Sequence, residues 1–276
     1  MGYDKVDRTG EPDRLQPDAA EVAGLLVARE RVLERIAAAV RRVGRDPADV
    51  RLVAVSKTVP AERLRAAVAA GLDLLGENRV QEALAKVDVV PGAMWHLIGP
   101  LQANKARRAV AAFAMIETVD SAVLADRLDR LARELRLGRP LPVLLQVNVD
   151  ADPAKAGFRA DELRGALPDI LELGGLDVRG LMTVGRLVAD SEAARPTFVA
   201  LRRLSEALRH DEPRLGPELS MGMSDDFPVA IEEGATLVRV GRALFGERPG
   251  HGPDERDPRP RDTGSGGAPA RSRDRR

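Results

Sequence analysis

Eight short apolar runs, each followed by a segment of helical periodicity, constrain this chain more than any other feature. The runs are RLVAVS (51–56), DLLGE (73–77), MWHLIG (94–99), AMIETV (114–119), LPVLLQVNV (141–149), DVRGLMTV (177–184), ELSMGM (218–223) and TLVRVG (236–241). Helical patterns are expected over 60–70, 79–86, 102–112, 121–136, 160–173, 191–210 and 225–233, with RALFG opening a last short helix and 19–43 forming one ahead of the first strand. Unbroken Val, Leu and Ile suit parallel strands buried on both faces. Strict alternation of strand and helix predicts a parallel α/β sheet. Eight units between residues 18 and 248 favour closure into a single (β/α)8 barrel of the TIM type, which commonly takes about 250 residues. An open doubly wound sheet would place a Gly-rich turn after its first strand, and RLVAVSKTVP has no glycine.

The expected domains are a disordered N-terminus over 1–17, the barrel over 18–248 and a disordered tail over 249–276. The tail is rich in Pro, Gly and mixed charge and nearly devoid of apolar residues, so it buries too little surface to offset its ordering entropy.

Composition removes several functional classes. Lys plus Arg and Asp plus Glu are 43 each, so no overall charge bias points to nucleic acid or an anionic membrane. The 276 residues include no cysteine and three histidines, which excludes disulfides, thiolate metal sites and cysteine nucleophiles and disfavours a His-rich zinc site. The N-terminus has no apolar run of the signal-peptide kind, and no stretch reaches the roughly 18 apolar residues of a membrane span. A cytosolic protein is the expectation.

Function in such barrels sits at the C-terminal ends of the strands. Those positions hold Lys57; Glu77 and Asn78; His96 and Gly99; Asn148; Met182 and Thr183; Gly222 and Ser224; Arg239 and Gly241. Lys57 either leaves the mouth for water or points into it, where partial desolvation would free its amine for attack on a carbonyl. SMGMSDD and VRVGRALFG place Gly222, Ser224, Gly241 and the Arg242 amide at two strand-to-helix turns, where free N–H groups can hold a phosphate. The alternative is that Ser224 caps a helix and the glycines only make turns. A lumen-facing Arg239 needs a ligand acceptor or an inner salt bridge, for instance with Glu77 or Asp225. His96 is either a hydrogen-bonded core residue or an acid–base group.

The segments LVAVSKTVP, GENRVQEAL, WHLIGPLQANK, QVNVDADPAKAGF, GLMTV and SMGMSDDFPVAIEEGATLVRVGRALFG, in this order and spacing, resemble the pyridoxal phosphate homeostasis proteins, single-domain relatives of the alanine racemase barrel. The resemblance spans Arg51 to Gly246. It implies a fold type III barrel without the second β domain, binding pyridoxal 5′-phosphate (PLP) as a Schiff base on Lys57. It further implies that Asn78 lines the pocket near the cofactor ring, that Gly222, Ser224, Gly241 and the Arg242 amide hold the phosphate, and that Arg239 faces the pyridine nitrogen. The implied role is intracellular PLP (vitamin B6) homeostasis without established turnover. Its partners would be PLP and PLP-requiring apo-enzymes, with no membrane or nucleic-acid partner and no metal. Asp152, Gly185 with Arg186, and Leu75 depart from the family's usual Glu, Ala-Pro and Phe, the first three in the loops after strands 5 and 6.

Enzymes of this barrel type set a tyrosine or a cysteine against the cofactor lysine and carry a further, mostly β domain. Here the only tyrosine is Tyr3, cysteine is absent, and strand 8 runs into the tail. A carrier is therefore expected; a weak PLP-dependent racemase is the alternative.

Overall fold

The computed structural model describes residues 16–185 and 190–246. Eight parallel strands close in the order β1-β2-β3-β4-β5-β6-β7-β8, with β1 paired to β8. They are β1 (Arg51–Val55), β2 (Leu74–Glu77), β3 (Met94–Leu97), β4 (Met115–Val119), β5 (Leu141–Gln146), β6 (Leu176–Met182), β7 (Glu218–Ser220) and β8 (Leu237–Val240). The helices are α1 (Ala19–Arg42), α2 (Ala61–Ala69), α3 (Val80–Leu84), α4 (Ala106–Ala112), α5 (Ala122–Leu135), α6 (Ala160–Leu171), α7 (Arg195–Asp211), α8 (Phe227–Glu232) and α9 (Arg242–Phe245). The expected barrel is the observed one. Of the expected disordered segments, the tail and all of the N-terminus except Gln16 and Pro17 lie outside the described residues.

Two layers of apolar packing result. One lies between strands and helices and includes Ala54, Leu64, Leu75, Leu97, Leu145, Leu181, Phe198 and Val238. The other is a small cluster of Met115, Leu144 and Met182. Helix ends follow local rules. The Asp18 side chain accepts the Ala20 amide at the start of α1, and Arg41 and Arg42 occupy its last turn, where the dipole favours cations. The Ser121 hydroxyl caps α5 by accepting the Leu124 amide. Helix α1, which precedes the barrel, packs against α2, α8 and α9.

Three expected boundaries move, each for a stated reason. Pro60 sits one residue ahead of α2 with ψ of 152°, as its cap, not in its first turn. The β5 run stops at Gln146, because the Asn148 side chain binds the loop beyond it, donating to the Asp152 and Lys155 carbonyls and accepting the Asp152 amide. The regular β7 run stops at Ser220, because Gly222 has φ of +91°, although the Met221 amide and the Gly222 carbonyl still bond to β8.

Candidate binding site at the barrel mouth

Parallel pairing aligns Val53 with Arg239, Val55 with Gly76, Gly76 with His96, and His96 with Met115. Aligned partners in a sheet share a face, so Val53, Val55, His96, Met115 and Arg239 line the lumen. Continued one step past β1, the alternation carries Lys57 to the lumen side and Ser56 to the helix side. Lys57 is half-buried at the mouth. It belongs to a tight turn closed by the Val59 amide on the Ser56 carbonyl (3.0 Å).

The segments after β7 and β8 meet beside it. The Gly241 amide donates to the Ser224 hydroxyl at 3.3 Å, so the two turns nominated from sequence form one surface. Gly222 is required for two reasons. Its φ is +91°, and an added Cβ would lie 2.6 Å from Ala230 Cβ and 2.9 Å from Phe227 Cα of α8. Its role is thus to let the turn fold tightly over α8. The Arg242 guanidinium pairs with Asp225 at the surface, which leaves its backbone as the part near Gly241. Asn78, at the end of β2, is half-buried, and its side chain makes no protein hydrogen bond among the described residues. Gly99 is pressed so closely on the Asn78 backbone that a Cβ there would collide with it.

Arg239 enters the lumen from β8 and is almost fully buried. Neither expected partner holds it. Asp225 pairs with Arg242, and Glu77 lies on the helix side of β2. Instead, Arg239 Nη1 donates to Ser220 Oγ (2.5 Å) and Nη2 to the Thr183 carbonyl (2.7 Å). The Ser220 hydroxyl in turn donates to Glu117 Oε2 (2.5 Å), and Glu117 Oε1 lies 2.6 Å from His96 Nδ1. Strands β4 and β7 are not neighbours, so this chain of side chains crosses the lumen. Burial pushes the Glu117 carboxyl up, but the His96 bond and charge, the Arg239 charge and the Ser220 bond together hold it below the usual carboxylate range. Burial likewise lowers Arg239, against the opposing charges of Glu117 and Asp226. Two of the five guanidinium N–H groups are used by these bonds. The rest have no protein acceptor among the described residues.

Sequence reasoning missed Glu117 and Ser220. The available signal was a glutamate inside the apolar run AMIETV, a charge that a buried strand tolerates only when partnered. His96 takes the hydrogen-bonded interior role, 1% exposed. Among the described residues, no cluster of His, Asp and Glu is arranged to hold a metal, and no helix is long and apolar enough to cross a membrane.

All seven nominated residues therefore lie on one arc, at the ends of the consecutive strands β7, β8, β1 and β2. Residues 28–249 match the alanine racemase N-terminal domain family. The pyridoxal phosphate homeostasis protein of Aquifex aeolicus is 42% identical over 79% of this chain and 96% of its own length. That of Pseudomonas aeruginosa is 44% identical over 79% and 93%. The chain belongs to this family. PLP-bound PipY of Synechococcus elongatus superposes with a TM-score of 0.69 at 45% identity, covering 78% of this chain and all of PipY. Alanine racemase of Clostridium difficile, at 15% identity and a TM-score of 0.61, shares the barrel fold over 57% of its length.

Proposed function

We propose that this family member holds PLP at the β7–β8–β1–β2 arc, with Lys57 as its covalent anchor, and acts as a cytosolic store of the cofactor that supplies apo-enzymes. The observation that carries the reading is the convergence of three groups suited to the three ends of that molecule. Its aldehyde needs a primary amine, and Lys57 stands half-buried on the lumen side of the mouth. Its phosphate needs N–H and O–H donors, and the Ser224 hydroxyl and Gly241 amide touch. Its pyridine nitrogen needs a donor, and Arg239 spends two of its five N–H groups on Ser220 and Thr183, the acceptors it has among the described residues. Asn78, at the end of the neighbouring strand β2 and without a side-chain hydrogen bond among the described residues, offers a further polar group. When bound, PLP supplies an aldehyde that condenses with an amine with loss of water, and a ring that acts as an electron sink.

The chain's own residues do the remaining work. Gly222 lets the phosphate turn approach α8 closely. Ser220 and Glu117 fix the Arg239 guanidinium and keep it cationic. Arg239 stays protonated and would donate a hydrogen bond to a ring nitrogen, which would hold that nitrogen unprotonated and weaken the electron sink. The relatives' name and the PLP-bound structure of PipY support the reading. The lack of cysteine and the presence of a single tyrosine, Tyr3, favour storage over turnover, because enzymes of this barrel type set a tyrosine or a cysteine against the cofactor lysine.

The test is borohydride reduction of purified protein mixed with PLP, followed by peptide mapping. The expected result is one phosphopyridoxyl group on the peptide carrying Lys57. Labelling on Lys105 or Lys155 in its place would overturn the assignment.

A further inference from the structure

Behind the mouth, on the helix side of β1 and β2, lies a second set of buried polar groups that ligand contact does not explain. Lys86, in the turn after α3, places Nζ 2.6 Å from Glu77 Oε1 and 3.1 Å from the Ser56 carbonyl. The Ser56 hydroxyl donates to the same Glu77 oxygen at 2.8 Å. Glu77 is fully buried and the Lys86 side chain 11% exposed, while Glu77 Oε2 has no hydrogen-bond partner among the described residues. Burial pushes the Glu77 carboxyl up, and the Lys86 bond and charge oppose that rise.

A buried ion pair is a poor device for stability alone. Desolvation consumes most of its Coulomb energy, and apolar residues of like volume often serve as well. Its placement is informative. The Ser56 carbonyl that Lys86 grips is the one that closes the Lys57 turn through the Val59 amide. In that turn Thr58 has φ of +66°. A β-branched residue in the left-handed region is a true outlier, retained only where its surroundings enforce it. The Thr58 amide also faces Glu82 Oε2 of α3 at 3.4 Å. Both the carbonyl that closes the turn and the strained residue are thus fastened from α3 and its following turn.

We propose that Lys86 is a positioning residue for Lys57: from outside the barrel, seated on Glu77, it holds the turn 56–59 in the strained form that presents the Lys57 amine to the mouth. This rests on the reading of Lys57 as the cofactor lysine. Strain that favours relaxation of the turn is opposed by the Lys86 grip, so the two should be energetically coupled. Relieving the strain at Thr58 should remove the need for the grip.

The experiment measures the rate of borohydride-trapped PLP incorporation at Lys57, with thermal unfolding in parallel, for wild type, Lys86→Met, Thr58→Gly and the double variant. Glycine adopts positive φ without strain. Loss of one charge-assisted bond corresponds to about a tenfold slower incorporation in Lys86→Met. Thr58→Gly alone should incorporate at close to the wild-type rate. In the double variant, Thr58→Gly should restore most of the lost rate without restoring thermal stability, because the buried Glu77 is still unpaired. If Lys86→Met does not fold, Lys86→Gln, which keeps a donor for the Ser56 carbonyl, replaces it with a smaller expected loss of about threefold. A wild-type rate in the Lys86 variant, or equal slowing with and without Thr58→Gly, would overturn the proposal. If wild type itself carries no label on Lys57, the PLP reading fails, and that outcome is separate from these.

Discussion

Replacing Glu117 by Gln tests the polar chain that crosses the lumen. The change conserves shape and removes one charge. Glu117 accepts two short bonds, from Ser220 Oγ at 2.5 Å and at His96 Nδ1 at 2.6 Å. A glutamine keeps one acceptor; its amide nitrogen then faces a group that also donates. A charge-assisted bond contributes about 1.5–3 kcal/mol, and a buried polar group left unmatched costs about 1–3 kcal/mol. Breaking a buried charge pair typically costs about 3–5 kcal/mol, although here Ser220 stands between Glu117 and Arg239. A loss of about 3 kcal/mol is expected, near the lower end of that range. For a domain of this size it corresponds to a fall in melting temperature of about 6–12 °C. The assay is urea and thermal unfolding at pH 7, with Glu134→Gln as a control at an exposed ion pair with Arg107, where the midpoint should not move. The pH dependence carries an independent sign. Glu117 is held below its ordinary range in the folded protein, so its stabilisation is fully present above the unfolded value of about 4.3 and is lost as pH falls through the lower folded value. The gap between wild type and Glu117→Gln should therefore close on acidification below about pH 4. A loss smaller than about 1 kcal/mol at pH 7, within the range of ordinary substitutions, or a gap that widens in acid, would refute the assigned network.

Ser224→Ala removes one hydroxyl donor to a charged acceptor, and the dissociation constant for PLP should rise about 10- to 150-fold; an unchanged value would leave Ser224 with only its bond to the Gly241 amide. Gly222→Ala forces a Cβ against Ala230 and Phe227 at φ of +91°, and denaturant unfolding should show a loss of about 2–4 kcal/mol, whereas a neutral result would mean that α8 yields readily. Efficient racemisation of alanine or serine is not expected, since His96 is buried with Nδ1 committed to Glu117; chiral chromatography after incubation in D₂O, with Lys57→Ala as control, should show negligible opposite enantiomer, and Lys57-dependent rates of about 1 s⁻¹ or faster would contradict storage.

The barrel is legible in the amino-acid sequence because its signals are local. Continuous apolar runs, helical periodicity and the absence of a Gly-rich first turn depend on neighbouring residues in the chain. The fold then sets where strands end, which was enough to place Lys57, Asn78, Ser224 and Gly241 at one mouth. What lay inside and outside the sheet was not legible in the same way. Glu77 and Arg239 were both strand-end polar residues in the sequence and plausible partners for each other, yet they occupy opposite faces. The face each occupies depends on the register of β2 against β1 and of β8 against β1, a property of the closed barrel. The same closure brings Glu117 of β4 to Ser220 of β7, 103 positions apart, a contact that no spacing in the sequence encodes. Thr58 shows the limit most plainly: its sequence neighbourhood gives a β-branched residue no reason to adopt a left-handed backbone. Glu82 of α3 faces its amide, and Lys86 in the turn beyond α3 holds the Ser56 carbonyl that closes the turn around it.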